Sequence, residues 1–123
     1  MNRARGLGIE GEARAARLLE ADGWSILARN ARCDRVEIDL VAQRGDTVAF
    51  VEVKTRRGSG HGAPEEAIDW HKRRRLVRGA AAWLHEHRVH AREVRFDVIS
   101  CELDARGEWR LRHLEDAFDA GES

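Results

Sequence analysis

Three residues near the middle of the chain are of the types that hydrolyse phosphodiesters: Asp39, Glu52 and Lys54. They form the pattern D-x12-E-x-K within two apolar runs, Val36–Ala42 and Val48–Thr55. Both runs are rich in Val, Ile and Phe, and a polar connection centred on Gly45-Asp46 joins them, so they read as a β-hairpin. Gly45-Asp46 suits a two-residue type II′ turn, which makes the numbers of cross-strand partners sum to 91. In that register Asp39 faces Glu52, Glu37 faces Lys54 and Val41 faces Phe50, all on one side of the sheet. Ile38, Leu40, Ala49, Val51 and Val53 take the other side. The register holds only if neither strand carries a bulge.

Facing carboxylates would bring the Cβ atoms of Asp39 and Glu52 to about 4.5–5.5 Å, where like charges repel. A divalent cation with oxygen ligands relieves that repulsion. Mg²⁺ takes one or two carboxylates and leaves its other positions to water and phosphate. Such an ion generates a nucleophile and stabilises the charge of an in-line displacement, with Lys54 orienting the water or the phosphate. The alternative is a Glu37–Lys54 surface pair beside two solvated acids, worth about 0.2–1 kcal/mol. Spacing by itself leaves both open.

The elements that must position these residues follow from periodicity. Ile9, Ala13, Ala16 and Leu19 recur at helical spacing over residues 7–22, with Gly23 as a stop and Glu12 inside the stripe. Trp24 to Ala28 reads as a strand and residues 30–35 as a polar loop. After a basic, glycine-rich loop at 56–63, Pro64 in an N1 position opens a helix to about Arg88. Its stripe is Ile68, Leu76, Gly79, Ala80, Trp83 and Leu84, and Lys72 lies on it. Strands follow at 94–101 and 108–112, and the acidic tail from Glu115 reads as a short helix or a frayed end. The order α-β-β-β-α-β-β describes an α/β or α+β sheet covered by helices.

With 123 residues the chain has length for one domain. Charged residues make up 36% yet the net charge is zero, and the apolar residues are periodic, so disorder is excluded. The balance hides a layout: residues 53–78 carry +5 and residues 97–123 carry −5. A basic stretch beside a few carboxylates suits a polyanion held near a metal, and it equally suits a solvated surface. The 22 basic residues are 20 arginines and two lysines, Lys54 and Lys72. Lysine offers a compact, adjustable charge that arginine does not. No apolar run reaches the length of a membrane span and the first residues lack a signal-peptide core, so a cytoplasmic location is expected.

Five motifs in order extend this reading. Gly8-x-x-Gly11-Glu12-x-x-Ala15, Glu37-Ile38-Asp39-Leu40, Phe50-Val51-Glu52-Val53-Lys54-Thr55-Arg56, Ala67-Ile68 with Lys72, and Arg95-Phe96-Asp97-Val98 together resemble the YraN family. These small bacterial proteins are similar to PD-(D/E)xK, restriction-endonuclease-like enzymes and, distantly, to archaeal Holliday-junction resolvases. The resemblance covers roughly residues 6–102. It implies an αβββαβ core with a central mixed sheet, and a homodimer presenting two sites to a junction. It also implies Mg²⁺ or Mn²⁺ held by Asp39, Glu52 and the Val53 carbonyl, with Lys54 as the catalytic lysine and Glu12 reaching the site from the first helix. Lys72 matches the second-helix lysine. In one place the chain departs from the family: Val36 stands where a glycine usually precedes Glu-Ile-Asp, and a β-branched residue disfavours φ > 0 there.

Other candidates are weaker. Gly58-Ser59-Gly60-His61-Gly62 lacks the spacing of a nucleotide loop. His85-Glu86-His87-Arg88-Val89-His90 has Val89 where H-E-x-x-H needs a histidine. Cys33 and Cys101 lack metal or thiol-exchange spacing, and Trp70 and Trp83 read as helix-face residues. The function expected is a metal-dependent nuclease acting on nucleic acid, DNA before RNA. Arg56, Arg57, Lys72, Arg73, Arg74, Arg75 and Arg78 would contact the phosphates. A non-catalytic nucleic-acid-binding module on the same fold is the alternative, and a protein-interaction scaffold a third reading.

Overall fold

A computed structural model describes residues 3–58 and 68–118. It contains α1 (Arg3–Ala21), β1 (Ser25–Cys33), β2 (Val36–Arg44), β3 (Thr47–Arg57), α2 (Trp70–Glu86), β4 (Glu93–Leu103) and β5 (Trp109–Phe118). The strands form one five-stranded sheet in chain order. β3 and β4 pair in parallel across the α2 crossover, and every other neighbouring pair is antiparallel. The architecture is thus a mixed α+β sheet with one helix on each face, in the element order expected from the sequence.

Each face carries its own core. Leu76, Ala80 and Trp83 of α2 pack on Val41, Val48, Phe50, Phe96 and Val98. On the opposite side Ala15, Ala16 and Leu19 of α1 pack on Leu40, Ala49, Val51, Ile99 and Cys101. Gly11 lets α1 lie directly on β3: a Cβ there would fall 2.1 Å from Thr55 Oγ1. This close approach rotates the buried face of α1 toward Gly11 and Ala15, so Ile9, expected in the apolar stripe, is 59% exposed.

The β2–β3 hairpin follows the expected register, from Arg44↔Thr47 to Leu40↔Val51. Gly45 has φ +60 and Asp46 does not have positive φ, as a type II′ turn requires. Three expectations need correction. Residues 30–35 are no loop: β1 runs to Cys33, and Asp34 and Arg35, with φ of +50 and +63, make a two-residue turn into Val36. Those residues are polar because β1 is an edge strand whose side chains are largely exposed. Positive φ therefore falls just before Val36, which itself pairs with Cys33 in regular strand.

The second correction concerns α2, whose described part begins at Trp70. Asp69 is extended (ψ 172°) and caps the helix, its side chain accepting the Lys72 N–H at 2.8 Å, so no helix continues through it. The expected start at Pro64 lies outside the described residues. Third, Glu115 to Phe118 belong to β5, and Phe118 is buried against Phe96.

The β4–β5 register shifts between Phe96 and Val98, and Asp97 at that shift organises a buried network. Its carboxylate accepts from Arg95 through two nitrogens (3.1 and 2.8 Å) and from the Asp116 N–H (3.0 Å), and lies 2.7 Å from His113 Nε2. Cys33 and Cys101 are both free and buried, in the cores of opposite sheet faces.

Candidate active site

Past the Leu40–Val51 pair the β2–β3 ladder ends, although both strands continue. Asp39 sits at this parting. Its Oδ2 accepts the Val53 N–H at 2.8 Å, so a side-chain carboxylate takes the place of a strand carbonyl. The alternation of faces breaks at the same point. Val36 and Ile38 lie in the α2-side core together with Val41, whereas Leu40 and Ala42 lie in the α1-side core. The break is shared with β1, where Ala28 and Ala31, three residues apart, both pack on the α2 side. Between them Asn30 has φ +49.

This kink corrects the expected face assignment. Ile38 does not share a side with Leu40, and Glu37 does not meet Lys54. Glu37 is exposed, 3.9 Å from Arg32 of β1. Asp39 and Glu52 are not ladder partners either, but the parting strands leave both carboxylates at the same opening. They line a hollow of about 350 Å³ together with Arg32, Arg35, Lys72 and Arg75. Burial and the neighbouring Glu52 charge push the Asp39 carboxyl up to about 7, against the opposing Val53 N–H bond.

Glu52 is deeper: its side chain is 8% exposed and pairs with the Lys72 ammonium. The lysine reaches it from the first turn of α2, on the buried stripe one turn before Leu76. A carboxylate this buried is costly without a partner, which explains a lysine on an apolar helix face. Lys54 follows Glu52 by two residues in β3, so strand alternation puts it on the same face. It is half-buried and makes no hydrogen bond or ion pair with either acid.

Glu12 stands apart from this hollow. It lines a second one on the α1 side with Arg29, Asn30 and Glu37, and Glu37 borders both. Burial first, and then Glu37 and Glu52, push the Glu12 carboxyl up, while a hydrogen bond with Asn30 opposes them. Sequence reasoning missed Asn30, Arg32 and Arg35. An asparagine, tolerant of φ > 0, within a polar run is the one local signal that could have marked the kink.

The arginines expected on phosphates divide. His71, Arg74, Arg75 and Arg78 line a shallow hollow on the outer face of α2, and Arg75 borders the acidic hollow as well. Arg74 lies over the ring of Trp70 (4.8 Å), which is 46% exposed, and Arg78 pairs with Asp34 at 2.8 Å. Arg73 turns the other way, over the Phe118 ring (5.4 Å) and toward the Ile68 carbonyl. Arg56 and Arg57 lie at the far end of β3, half-buried and exposed respectively. Among the described residues no three His, Cys, Asp or Glu side chains converge as a metal cluster, and no helix is long and apolar enough to cross a membrane.

Fold and site together define a small α+β protein with an acidic hollow where two strands of a mixed sheet part. Comparison with known proteins supplies the family. The profile of the uncharacterised protein family UPF0102 matches residues 11–101, and the chain belongs to that family, the YraN group its motifs resemble. A UPF0102 protein of Beutenbergia cavernae is 49% identical over 108 residues, 88% of this chain and 92% of the relative. One from Rhodococcus opacus is 45% identical over 112 residues (91% and 95%), and one from Nitratidesulfovibrio vulgaris 42% over 116 residues (94% and 86%). Among solved structures, that of Pyrococcus furiosus SfsA in complex with Ca²⁺ is similar with a TM-score of 0.40 and 15% identity. The match covers 92% of this chain and 63% of that one.

Proposed function

We propose that the protein is a Mg²⁺- or Mn²⁺-dependent endonuclease that hydrolyses phosphodiester bonds of structured or branched DNA in the cytoplasm. The observation that carries this reading is that Asp39 and Glu52 share one hollow, which Arg75 joins to the basic outer face of α2. Acids facing a phosphate repel it unless a cation stands between them.

The donors fit a hard divalent ion. Asp39 and Glu52 give carboxylate oxygens. The N–H and C=O of a strand residue point to the same edge, so the Val53 carbonyl faces the parting into which its N–H reaches Asp39. When bound, such an ion activates a coordinated water and offsets charge on the scissile phosphate. Lys54 orients the water or the phosphate from the same strand face. Glu12 supports the site from the adjoining hollow, through water. Arg74, Arg75 and Arg78, with Arg56 and Arg57, hold the backbone without reading sequence. Arg73, turned to Phe118, anchors the helix instead.

The test is incubation with end-labelled four-way junction, flap, duplex and single-stranded DNA, in Mn²⁺ or in EDTA, beside Asp39→Ala and Glu52→Ala. Cleavage that needs Mn²⁺ and disappears in both variants, with binding retained, is the expected result. Unchanged cleavage in the variants would sink the assignment. A second reading, a non-catalytic nucleic-acid-binding module, is favoured by the Lys72–Glu52 pair, which neutralises one acid without any metal. It predicts salt-dependent binding and no hydrolysis with any divalent ion.

A further inference from the structure

We propose that Lys72 is a resident counter-ion that holds Glu52 in the metal-free protein and is displaced toward the substrate phosphate when a divalent cation enters. This rests on the metal reading above and adds an order of events to it. Among the described residues no other lysine or arginine pairs with Asp39 or Glu52: Arg32 contacts Glu37, Arg78 contacts Asp34 and Arg95 contacts Asp97. Asp39 is held by the Val53 N–H instead. The ammonium of Lys72 and an incoming cation therefore compete for the Glu52 carboxylate.

The lysine is built to yield. Its side chain is 30% exposed where that of Glu52 is 8%, so the lysine can swing out while the acid stays. Its backbone is fixed, because Asp69 caps the Lys72 N–H, and only the flexible four-carbon stem has to move. An arginine would bind a carboxylate through a rigid fork and release it less readily. That difference gives a physical reason for one of only two lysines among 22 basic side chains to stand here. Once displaced, the ammonium stays in a hollow that Arg35 and Arg75 already line.

Charge couples the two binding events. Without a metal, the Lys72 charge is spent on Glu52 and is not offered to a phosphate. A divalent ion bound by the two carboxylates brings them to neutrality and leaves the Lys72 charge unspent beside the substrate. Metal binding thus strengthens the hold on the scissile phosphate.

The two-lysine composition makes the test direct. Protein labelled with ¹³C at lysine Cε gives two side-chain signals, Lys54 and Lys72, assigned by the loss of one in Lys72→Met. Titration of the full chain with Mg²⁺ should move and sharpen the Lys72 signal. Calorimetry should show Mg²⁺ binding Lys72→Met about tenfold more tightly than wild type, once the competing charge is gone. Mg²⁺ binding that leaves the Lys72 signal unmoved, or that is unchanged or weaker in Lys72→Met, overturns this proposal and leaves the metal reading standing. No Mg²⁺ binding by either protein overturns both. The wild-type spectrum decides the matter even if Lys72→Met folds poorly.

Discussion

A Cβ added to Gly79 would lie 2.8 Å from the Cβ of Val36 and 2.9 Å from its Cγ1. At this contact α2 rests directly on β2, three residues before Asp39. The branched side chain of Val36 fills the notch that Gly79 leaves in the helix. The contact helps fix the distance from α2 to the sheet, and with it the reach of Lys72 to Glu52.

Gly79→Ala should therefore destabilise the protein. Alanine gains about 1 kcal/mol of helix propensity, but overpacking against a stiff β-branched side chain costs about 1–3 kcal/mol. Urea denaturation should show a net loss, and Val36→Gly should make the Gly79→Ala change far less harmful. A more stable single variant would contradict the contact.

Asp97 should make stability depend on acid. Burial pushes its carboxyl up, but the His113 bond, Arg95 and the Asp116 N–H outweigh burial and hold it below the usual carboxylate range. A group depressed in the folded state stabilises fully above its unfolded pKa, about 3.9, and that contribution is lost as pH falls through the lower folded value. Thermal unfolding followed from pH 7 to pH 3 should show the loss. Asp97→Asn should flatten the profile and lower stability at pH 7 by about 3–5 kcal/mol, since it breaks a buried pair.

Both thiols should be inert in the native protein. The Glu86 hydrogen bond and burial push Cys33 up to about 11, and burial pushes Cys101 up to about 12. Native protein at pH 8 should react with a thiol reagent at neither site, and unfolded protein at both. Rapid labelling of the native state would contradict the burial described here.

The basic face of α2 can be mapped by salt dependence. If Arg74 and Arg75 contact phosphates, replacing either with alanine should weaken DNA binding on all sequences. Each replacement should also reduce the slope of log K against log salt by about 1. Arg73→Ala should leave that slope unchanged and lower the melting temperature instead, because its guanidinium packs over Phe118.

Much of the fold is legible in the residues taken locally. The apolar runs on either side of Gly45-Asp46 carry the hairpin, and the type II′ turn carries its register to Leu40↔Val51, one step short of the acids. Lys72 also announces itself, since a charge on a buried helical stripe needs a partner. Two helix and strand ends are not legible locally. Asp69 caps the described part of α2 although the residues around it carry no stronger cap signal than others in the chain, and the acidic residues of β5 conceal a strand closed by the buried Phe118.

The sequence alone determined the hairpin pairing from Arg44↔Thr47 to Leu40↔Val51, because alternation and turn geometry are local and a register error would expose a whole apolar face. Only the tertiary structure decided where that alternation breaks, that Lys72 meets Glu52, and that Glu12 lies in a neighbouring hollow. These facts depend on how two helices seat against opposite faces of the sheet through Gly11 and Gly79. Such packing joins residues distant in the chain, and no periodicity within a single element encodes it.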